Sequence, residues 1–318
     1  MRVLVTGGAG FIGSHIVDGL LAAGDEPYIV DDLSTGRRAN LRPEVPFFEV
    51  DIRDPGQMAE VFDEVRPQAV CHQAAQMSVT LSMREPAFDA EVNIVGLLRL
   101  LENSVRTQVS RFVFASSGGA LYGDVETPAD EQHPQSPLSA YGISKAVGEQ
   151  YLKFFARERG LSCVALRYAN VYGPRQNPEG EAGVVAIFST KLLSGERPTI
   201  FGDGSLVRDY VFVKDVAAAN LLAIQKPFAN AFTAINIGTG IGTTVQGLAN
   251  DIRAACQQVW DRRNSHQSVP EPGYGPPRAG DLRSSLISPA LARQILGWQP
   301  TVTLAAGLQE TVDWFAQR

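Results

Sequence analysis

Through the first half of the chain, short β-rich runs alternate with helical patterns, and the runs are apolar at successive positions rather than at every second one. RVLVT (2–6), PYIVDD (27–32), FFEVDI (47–52), QAVCHQAA (68–75) and RFVFASS (111–117) are the strand-like runs. Between them lie an apolar stretch from Phe11 to Ala23 that stops at Gly24, a helical piece to about Val65, and a helix around 87–107. A strand that buries both faces must be covered on both sides, and strands joined through helices run parallel because each helix returns the chain to the same end of the sheet. The expected class is therefore α/β, with a doubly wound parallel sheet. SAYGISKAVGEQYLKFFARERG (139–160) adds a helix of about five turns with Val147, Tyr151, Phe154 and Phe155 at apolar positions and Gly160 as its stop. LSCVALRYANVYGP supplies a further strand running into a loop, and INIGTG (235–240) another. From about 174 the alternation fails and Pro and Gly crowd 267–280, which marks a smaller C-terminal α/β lobe. The expected division is 1–172 plus about 215–245 for the sheet domain, with about 173–214 and 246–318 for the lobe.

Composition narrows the function classes. Hydrophobic residues make up 44% of the 318 and charged residues 19%, enough for a large core and unlike a disordered chain. A formal charge of −6 gives no general attraction to nucleic acid or to an anionic membrane, so neither is expected as a partner. The three cysteines, Cys71, Cys163 and Cys256, form no CxxC pair, and Cys71 and Cys163 read as small buried hydrophobes. The histidines (His15, His72, His133, His266) show no metal-ligand spacing, and no catalytic metal is expected. MRVLVTGGAG carries glycines where a signal peptide would be apolar, and no window approaches 18 apolar residues, so cytoplasm is the expected compartment.

Directly after the first strand, Gly8-Ala9-Gly10-Phe11-Ile12-Gly13 fits GxGxxG, with Gly7 in front of it, and opens a helix. In that setting glycines permit a tight turn and let backbone N–H groups and the positive helix end approach a pyrophosphate, which is the fingerprint of a Rossmann dinucleotide site. Asp31 ends the second strand 18 residues beyond Gly13, placed to accept ribose hydroxyls and to repel a 2′-phosphate. NAD is favoured over NADP, although Arg37 and Arg38 are near enough in sequence to meet a phosphate. Asp51 and Ile52, ending the third strand, face the adenine or stand as loop residues. Further along, Tyr141 and Lys145 share a helix face, and an ammonium beside a phenol is expected to lower its pKa toward neutrality and make it a general base. Ser116 and Ser117 end the strand RFVFASS, at the sheet edge where ligands bind.

TGGAGFIGSH, the Asp31 strand end, HQAAQ, Asn93, SSGGALYG, Tyr141-Gly-Ile-Ser-Lys145, LRYANVYGPRQ, RDYVFVKDVA and RAGDLR come in one order from residue 1 to about 285. In that order the chain resembles the nucleotide-sugar epimerases of the extended short-chain dehydrogenase/reductase family. The resemblance implies that Tyr141 is the catalytic base, that Lys145 binds the nicotinamide ribose and tunes the tyrosine, and that Ser117 hydrogen-bonds the reacting sugar oxygen. Many relatives carry this Ser or Thr four residues before the YG tyrosine, where this chain has Gly118, and Ser117 is the nearest hydroxyl. It also implies that Gly7, Gly10, Phe11, Ile12, Gly13, Asp31, Asp32, Asp51, Ile52, Ala74 and Asn93, with Tyr141 and Lys145, hold NAD. Asn170, Arg208 and Arg278 would hold the diphosphate of a UDP-sugar and Phe201 the uracil, with Asp281 and Ser285 completing the substrate set. Relatives at the place of Ser285 gate the sugar's C2 substituent, a tyrosine excluding N-acetylhexosamines and a small residue admitting them. Dehydratase and decarboxylase relatives place acids after the Ser/Thr, and this chain has Gly118-Gly119-Ala120, which leaves 4-epimerisation through transient oxidation at C4. Another NAD-dependent nucleotide-sugar enzyme, such as a UDP-glucuronate 4-epimerase or an oxidoreductase, is the alternative, and a non-catalytic NAD sensor a remote one. Relatives commonly dimerise through the YxxxK helix and its neighbour, so a homodimer is expected, with Phe154 and Phe155 serving the interface or the core.

Overall fold

The computed structural model describes residues 1–179, 183–263, 267–278 and 280–318; His266 and the alanine of RAGDLR lie outside them. Its strands, in chain order, are β1 (Arg2–Thr6), β2 (Glu26–Asp31), β3 (Phe47–Glu49), β4 (Ala69–His72), β5 (Arg111–Ser117), β6 (Cys163–Tyr168), β7 (Asn170–Tyr172), β8 (Thr199–Phe201), β9 (Val207–Phe212), β10 (Phe232–Ile237), β11 (Gly242–Thr244), β12 (Gly273–Gly275) and β13 (Ser284–Ser285). Seven of them form one sheet in the order β10-β6-β5-β4-β1-β2-β3, every neighbouring pair parallel. The order reverses at β1, between β2 and β4. That leaves a crevice at the carboxyl ends of the central strands, the place where such sheets bind ligands.

Successive strand residues feed two cores, as the doubly apolar runs require. Val3, Val5, Ile29, Cys71, Val113 and Leu166 pack on one face with Ile16, Val17 and Leu20 of the helix Phe11–Ala22 and with Val216, Ala219 and Ala223 of the helix Val213–Gln225. Leu4, Val30, Val70, Phe112, Phe114 and Cys163 pack on the other with the helices Pro55–Val65, Gly96–Arg106 and Ala140–Arg159. Cys71 and Cys163 are thus core residues on opposite faces. Local chemistry ends the helices. Asp54 accepts from the N–H groups of Gly56 and Gln57 ahead of Pro55, and Ser139 accepts from Gly142 to open the long helix that Gly160 closes at φ +69°. The third strand stops at Glu49, short of 52, because Asp51 turns its carboxylate back onto the Arg53 backbone and side chain. The helix expected around 87–107 runs from Pro86 to Arg106 with a π-type widening at Glu91–Val95.

The remaining strands are two or three residues long, apart from β9. β7, β11 and β13 all pair with β9, and β12 pairs with β8. They are backed by the helices Val184–Leu193, Val245–Arg262 and Leu304–Ala316 around Tyr172, Phe188, Leu248, Ile252 and Leu308. Among the described residues, no helix is long and apolar enough to cross a membrane.

Candidate active site

The glycine turn is built so that backbone meets backbone. Gly7 sits at φ +70°, and a Cβ there would stand 2.7 Å from the Ala74 nitrogen. A Cβ at Gly13 would stand 2.1 Å from the Gly7 carbonyl oxygen, so the helix Phe11–Ala22 starts hard against the turn. Gly10 opens that helix and offers no side-chain bond to its first N–H groups. A positive helix end whose first N–H groups carry no side-chain cap is the cradle a pyrophosphate needs. Phe11 and Ile12 are half-buried in the first turn, and the Ala74 N–H donates to Thr6 Oγ1 at 3.3 Å.

Asp31 closes β2 with its carboxylate over the turn. Oδ2 accepts from the Ala9 N–H at 3.0 Å and Oδ1 from the Leu33 N–H at 2.9 Å, while burial pushes its carboxyl up against those bonds. Asp32 is exposed and accepts from the backbone and hydroxyl of Ser34. Neither nearby arginine is idle: Arg37 donates to Asn177 Oδ1 at 2.9 Å, and Arg38 ion-pairs with Glu49 over the Phe47 ring. Asp51 is held below the usual carboxylate range by Arg53, which chelates it, and the two line a cavity of about 480 Å³ with Asp54, Glu91 and Val95. Ile52 is buried against Gly96. The Asn93 amide is spent within the protein, accepting from Gln76 N–H and donating to Gln76 O and Asp89 Oδ1.

Ser117, Tyr141 and Lys145 come together at the end of β5. A Cβ at Gly142 would lie 2.6 Å from the Ala120 carbonyl oxygen, so the YxxxK helix is seated on the turn that follows Ser117. Ser117 accepts from the Ala120 N–H at 3.3 Å and lies close enough to the Tyr141 phenol to pull its pKa down. Ser116 instead donates to the buried Glu149 at 2.7 Å, which is itself ion-paired with buried Arg167 at 2.6 Å. The serine that faces the tyrosine is Ser117. A Cβ at Gly118 would strike the Ile287 side chain at 2.8 Å, which explains why the next position carries no hydroxyl.

The expected lowering of the phenol pKa is reversed. Burial, then the charge of Asp89, pushes Tyr141 up to about 12, and Ser117 only opposes it. Lys145 lies 5.6 Å above the Tyr141 ring centre, donates to the Ala115 carbonyl at 2.9 Å, and is pushed down to about 8 by burial. In this pocket desolvation outweighs the neighbouring cation. Asp89 is the residue the motif reading missed. It is completely buried and accepts from Ser144 Oγ at 2.6 Å, Gln76 Nε2 at 2.8 Å and Asn93 Nδ2 at 3.0 Å. The one sequence signal for it is a carboxylate four residues before Asn93 on the same helix face.

The residues expected to hold substrate lie on or beside the small sheets. Asn170 on β7 donates to the Asp209 carbonyl at 3.2 Å, and Arg208 on β9 lies in register with Ser285 on β13. Ser285 is buried with its Oγ 3.2 Å from where a Cβ of Gly119 would be, so β13 reaches the turn that follows Ser117. Phe201, Arg278 and Asp281 line a cavity of about 830 Å³, with the Arg278 guanidinium 4.0 Å over the Phe201 ring. Among the described residues neither Arg208 nor Arg278 is ion-paired, so both retain donors for an anion.

Residues 3–238 match the model of the NAD dependent epimerase/dehydratase family. The chain belongs to that family. A UDP-glucose 4-epimerase of Mycolicibacterium smegmatis is 44% identical over 324 residues, covering 100% of this chain and 99% of the relative. The crystal structure of a Thermotoga maritima UDP-glucose 4-epimerase with UDP-glucose superposes with a TM-score of 0.93 at 49% identity, covering 100% of this chain and 99% of that one. A Thermus thermophilus UDP-glucose 4-epimerase in complex with NAD gives 0.91 at 46% identity, covering 99% of each. Family membership makes the activity NAD-dependent, and the glycine turn with Asp31 beside it fits that cofactor.

Proposed function

We propose that the chain is an NAD-dependent UDP-sugar 4-epimerase that interconverts UDP-glucose and UDP-galactose. The observation that carries this reading is the grouping of Ser117, Tyr141 and Lys145 beside the glycine turn, followed by Gly118-Gly119-Ala120 with no acid among them. A second acid or base at that place would be needed for elimination or decarboxylation. The activities named for the Mycolicibacterium, Thermotoga and Thermus relatives support the same assignment.

In this reading Gly7, Gly10 and Gly13 admit the pyrophosphate to the helix end, Asp31 accepts the adenosine ribose hydroxyls, and Lys145 donates to the nicotinamide ribose. Bound NAD supplies the acceptor and later the donor of the C4 hydride, and in its oxidised form a positive ring. Tyr141 Oη takes the proton of the C4 hydroxyl and returns it, and Ser117 holds the sugar oxygen in line. Phe201 stacks on the uracil, and Asn170, Arg208 and Arg278 hold the diphosphate, Arg278 offering a planar fork to its oxygens. Ser285, beside Gly119, leaves room at the sugar's C2, so UDP-GlcNAc and UDP-GalNAc fall within the substrate range.

The division into a cofactor part, 1–172 plus 215–245, and a substrate part, 173–214 and 246–318, belongs to the same proposal, with β7 and β11 at the seam through their pairing with β9. A homodimer through the YxxxK helix and its neighbour is supported by Val95, Ile143 and Phe154, which stand exposed on those two helices while Phe155 is buried in the core. Three free, buried cysteines suit a reducing compartment such as the cytoplasm. Purified protein incubated without added NAD with UDP-glucose, UDP-galactose, UDP-GlcNAc, UDP-glucuronate and dTDP-glucose, followed by product separation, tests the reading. Interconversion of UDP-glucose and UDP-galactose with no build-up of NADH is expected. Turnover of UDP-glucuronate alone, or net NADH formation, would overturn it.

A further inference from the structure

Beneath the Tyr141–Lys145 pair lies a buried carboxylate that the proposed chemistry leaves without a task. Asp89 is 0% exposed, on the helix Pro86–Ala90 that packs against the YxxxK helix. Its hydrogen-bond partners are Ser144 Oγ on Oδ2 and the side-chain amides of Gln76 and Asn93 on Oδ1, all of them neutral. Neutral donors bring no counter-charge to a buried carboxylate, and a charge with no counter-charge beside it acts at longer range through the low-dielectric interior. Lys145 is the complementary case. The residue is 3% exposed, and its ammonium meets the Ala115 carbonyl and the faces of Phe114 and Tyr141, with no carboxylate within ion-pair distance among the described residues. Ser144, which Asp89 binds, is the residue next to Lys145 and lies in the first turns of the helix that presents both catalytic groups.

The other titratable groups around the pair do not replace Asp89. His72 on β4 is held neutral by burial, its value pushed down to about 3. Tyr168 on β6 is also held protonated by burial. Glu149, one turn beyond Lys145, is bound to Arg167 and Ser116.

We propose that Asp89 is a positioning residue for the catalytic pair: through Ser144 it fixes the start of the YxxxK helix, and its charge keeps the buried Lys145 an ammonium. The proposal rests on the assignment of Tyr141 and Lys145 made above. The electrostatic sign agrees with it, since Asp89 pulls both Lys145 and Tyr141 upward.

Asp89→Asn keeps the shape and removes the charge. The amine of Lys145 and the phenol of Tyr141 then both titrate lower, so both limbs of the kcat profile are expected to move down by about one pH unit, a tenfold change in each proton affinity. A purely structural role would lower the profile without displacing it. The independent readout is NMR titration of the lysine side chains in the NAD-loaded protein, where the Lys145 signal, identified by its loss in Lys145→Arg, is expected to titrate about one unit lower in Asp89→Asn. Ser144→Ala removes the tether and leaves the charge; kcat is expected to fall several-fold with the Lys145 titration unmoved. An unmoved Lys145 titration in Asp89→Asn, or wild-type kcat in Ser144→Ala, would overturn the proposal. Retained epimerisation by Tyr141→Phe would instead strike the catalytic assignment, and the Lys145 titration would still judge Asp89 on its own.

Discussion

Tyr141 is held as a neutral phenol by the protein's own field, with burial dominating and only Ser117 opposing it. Removing its hydroxyl takes away the proton acceptor and almost no volume. Tyr141→Phe is expected to lose about 10²–10⁴-fold in kcat while purifying with the wild-type content of NAD, as loss of general-base catalysis dictates. A coupled assay for UDP-galactose turnover beside cofactor quantitation after acid release checks both halves. Ser285 carries a prediction of another kind. It is buried, its Oγ against Gly119, and a tyrosine there would fill the space beside the catalytic turn. In Ser285→Tyr, kcat/KM for UDP-GlcNAc is expected to fall at least tenfold more than for UDP-glucose, since a clash with an acetamido group is a repulsive element the smaller sugar does not meet. Equal losses on both sugars would refute the gate.

At the scale of elements, the helix Phe11–Ala22 and the turn before it are one unit. The 2.1 Å between a Gly13 Cβ and the Gly7 carbonyl oxygen is a contact between backbone and an added atom, so no side-chain rotation relieves it. Gly13→Ala has to lift the helix off the turn, at a cost of about 1–3 kcal/mol by comparison with overpacked cores, and it withdraws the N–H groups from the pyrophosphate position. A lower melting temperature together with protein purified free of NAD is expected; a variant that melts lower but keeps full NAD would show that the turn tolerates the shift. How far elements were legible in the sequence followed their length and environment. RVLVT and RFVFASS became β1 and β5 over the residues read, because strands apolar on both faces and ended by Gly carry their own boundaries. FFEVDI lost its last residues to the Asp51–Arg53 turn, a side-chain event that periodicity does not register.

For the whole molecule, two buried histidines tie stability to pH. His72 bonds Thr6 Oγ1 at 2.7 Å between the Phe112 and Phe114 rings, and His15 bonds the Pro174 carbonyl at 2.9 Å. Burial pushes His72 down to about 3 and His15 down to about 4. Below pH 6.5 the unfolded chain binds protons at both sites that the native protein does not, so stability rises with pH there and is lost as pH falls. Each site contributes a slope of about 0.7 kcal/mol per pH unit at pH 6.5 that rises toward about 1.4 by pH 5. The raised carboxyls of Asp31, Glu131 and Asp209 pull the other way as they take up protons. Urea midpoints at pH 7, 6 and 5 should fall for the wild type, and the difference between wild type and His72→Gln isolates one of the two slopes; parallel curves would place His72 in contact with solvent.

Local order alone determined the parallel sheet, its glycine turn, the Asp31 carboxylate at the end of β2 and the spacing that sets Tyr141 and Lys145 on one face. Each depends on neighbours within a few residues, or on a repeating apolar pattern that has a single way to be buried. Tertiary structure decided the rest. Ser116 and Ser117 are chemically alike, and Glu149, from a helix some thirty residues on, draws the first inward and leaves the second to Tyr141. Five strands outside the seven-stranded sheet are only two or three residues long, too short for any period; β7, β11 and β13 exist because β9 pairs with them, and β8 and β12 because they pair with each other. Asp89 reads as a polar residue on an amphipathic helix until the YxxxK helix covers it. The direction of the Tyr141 shift was likewise beyond sequence, because an ammonium four residues away favours ionisation only as far as burial allows, and burial belongs to the assembled fold.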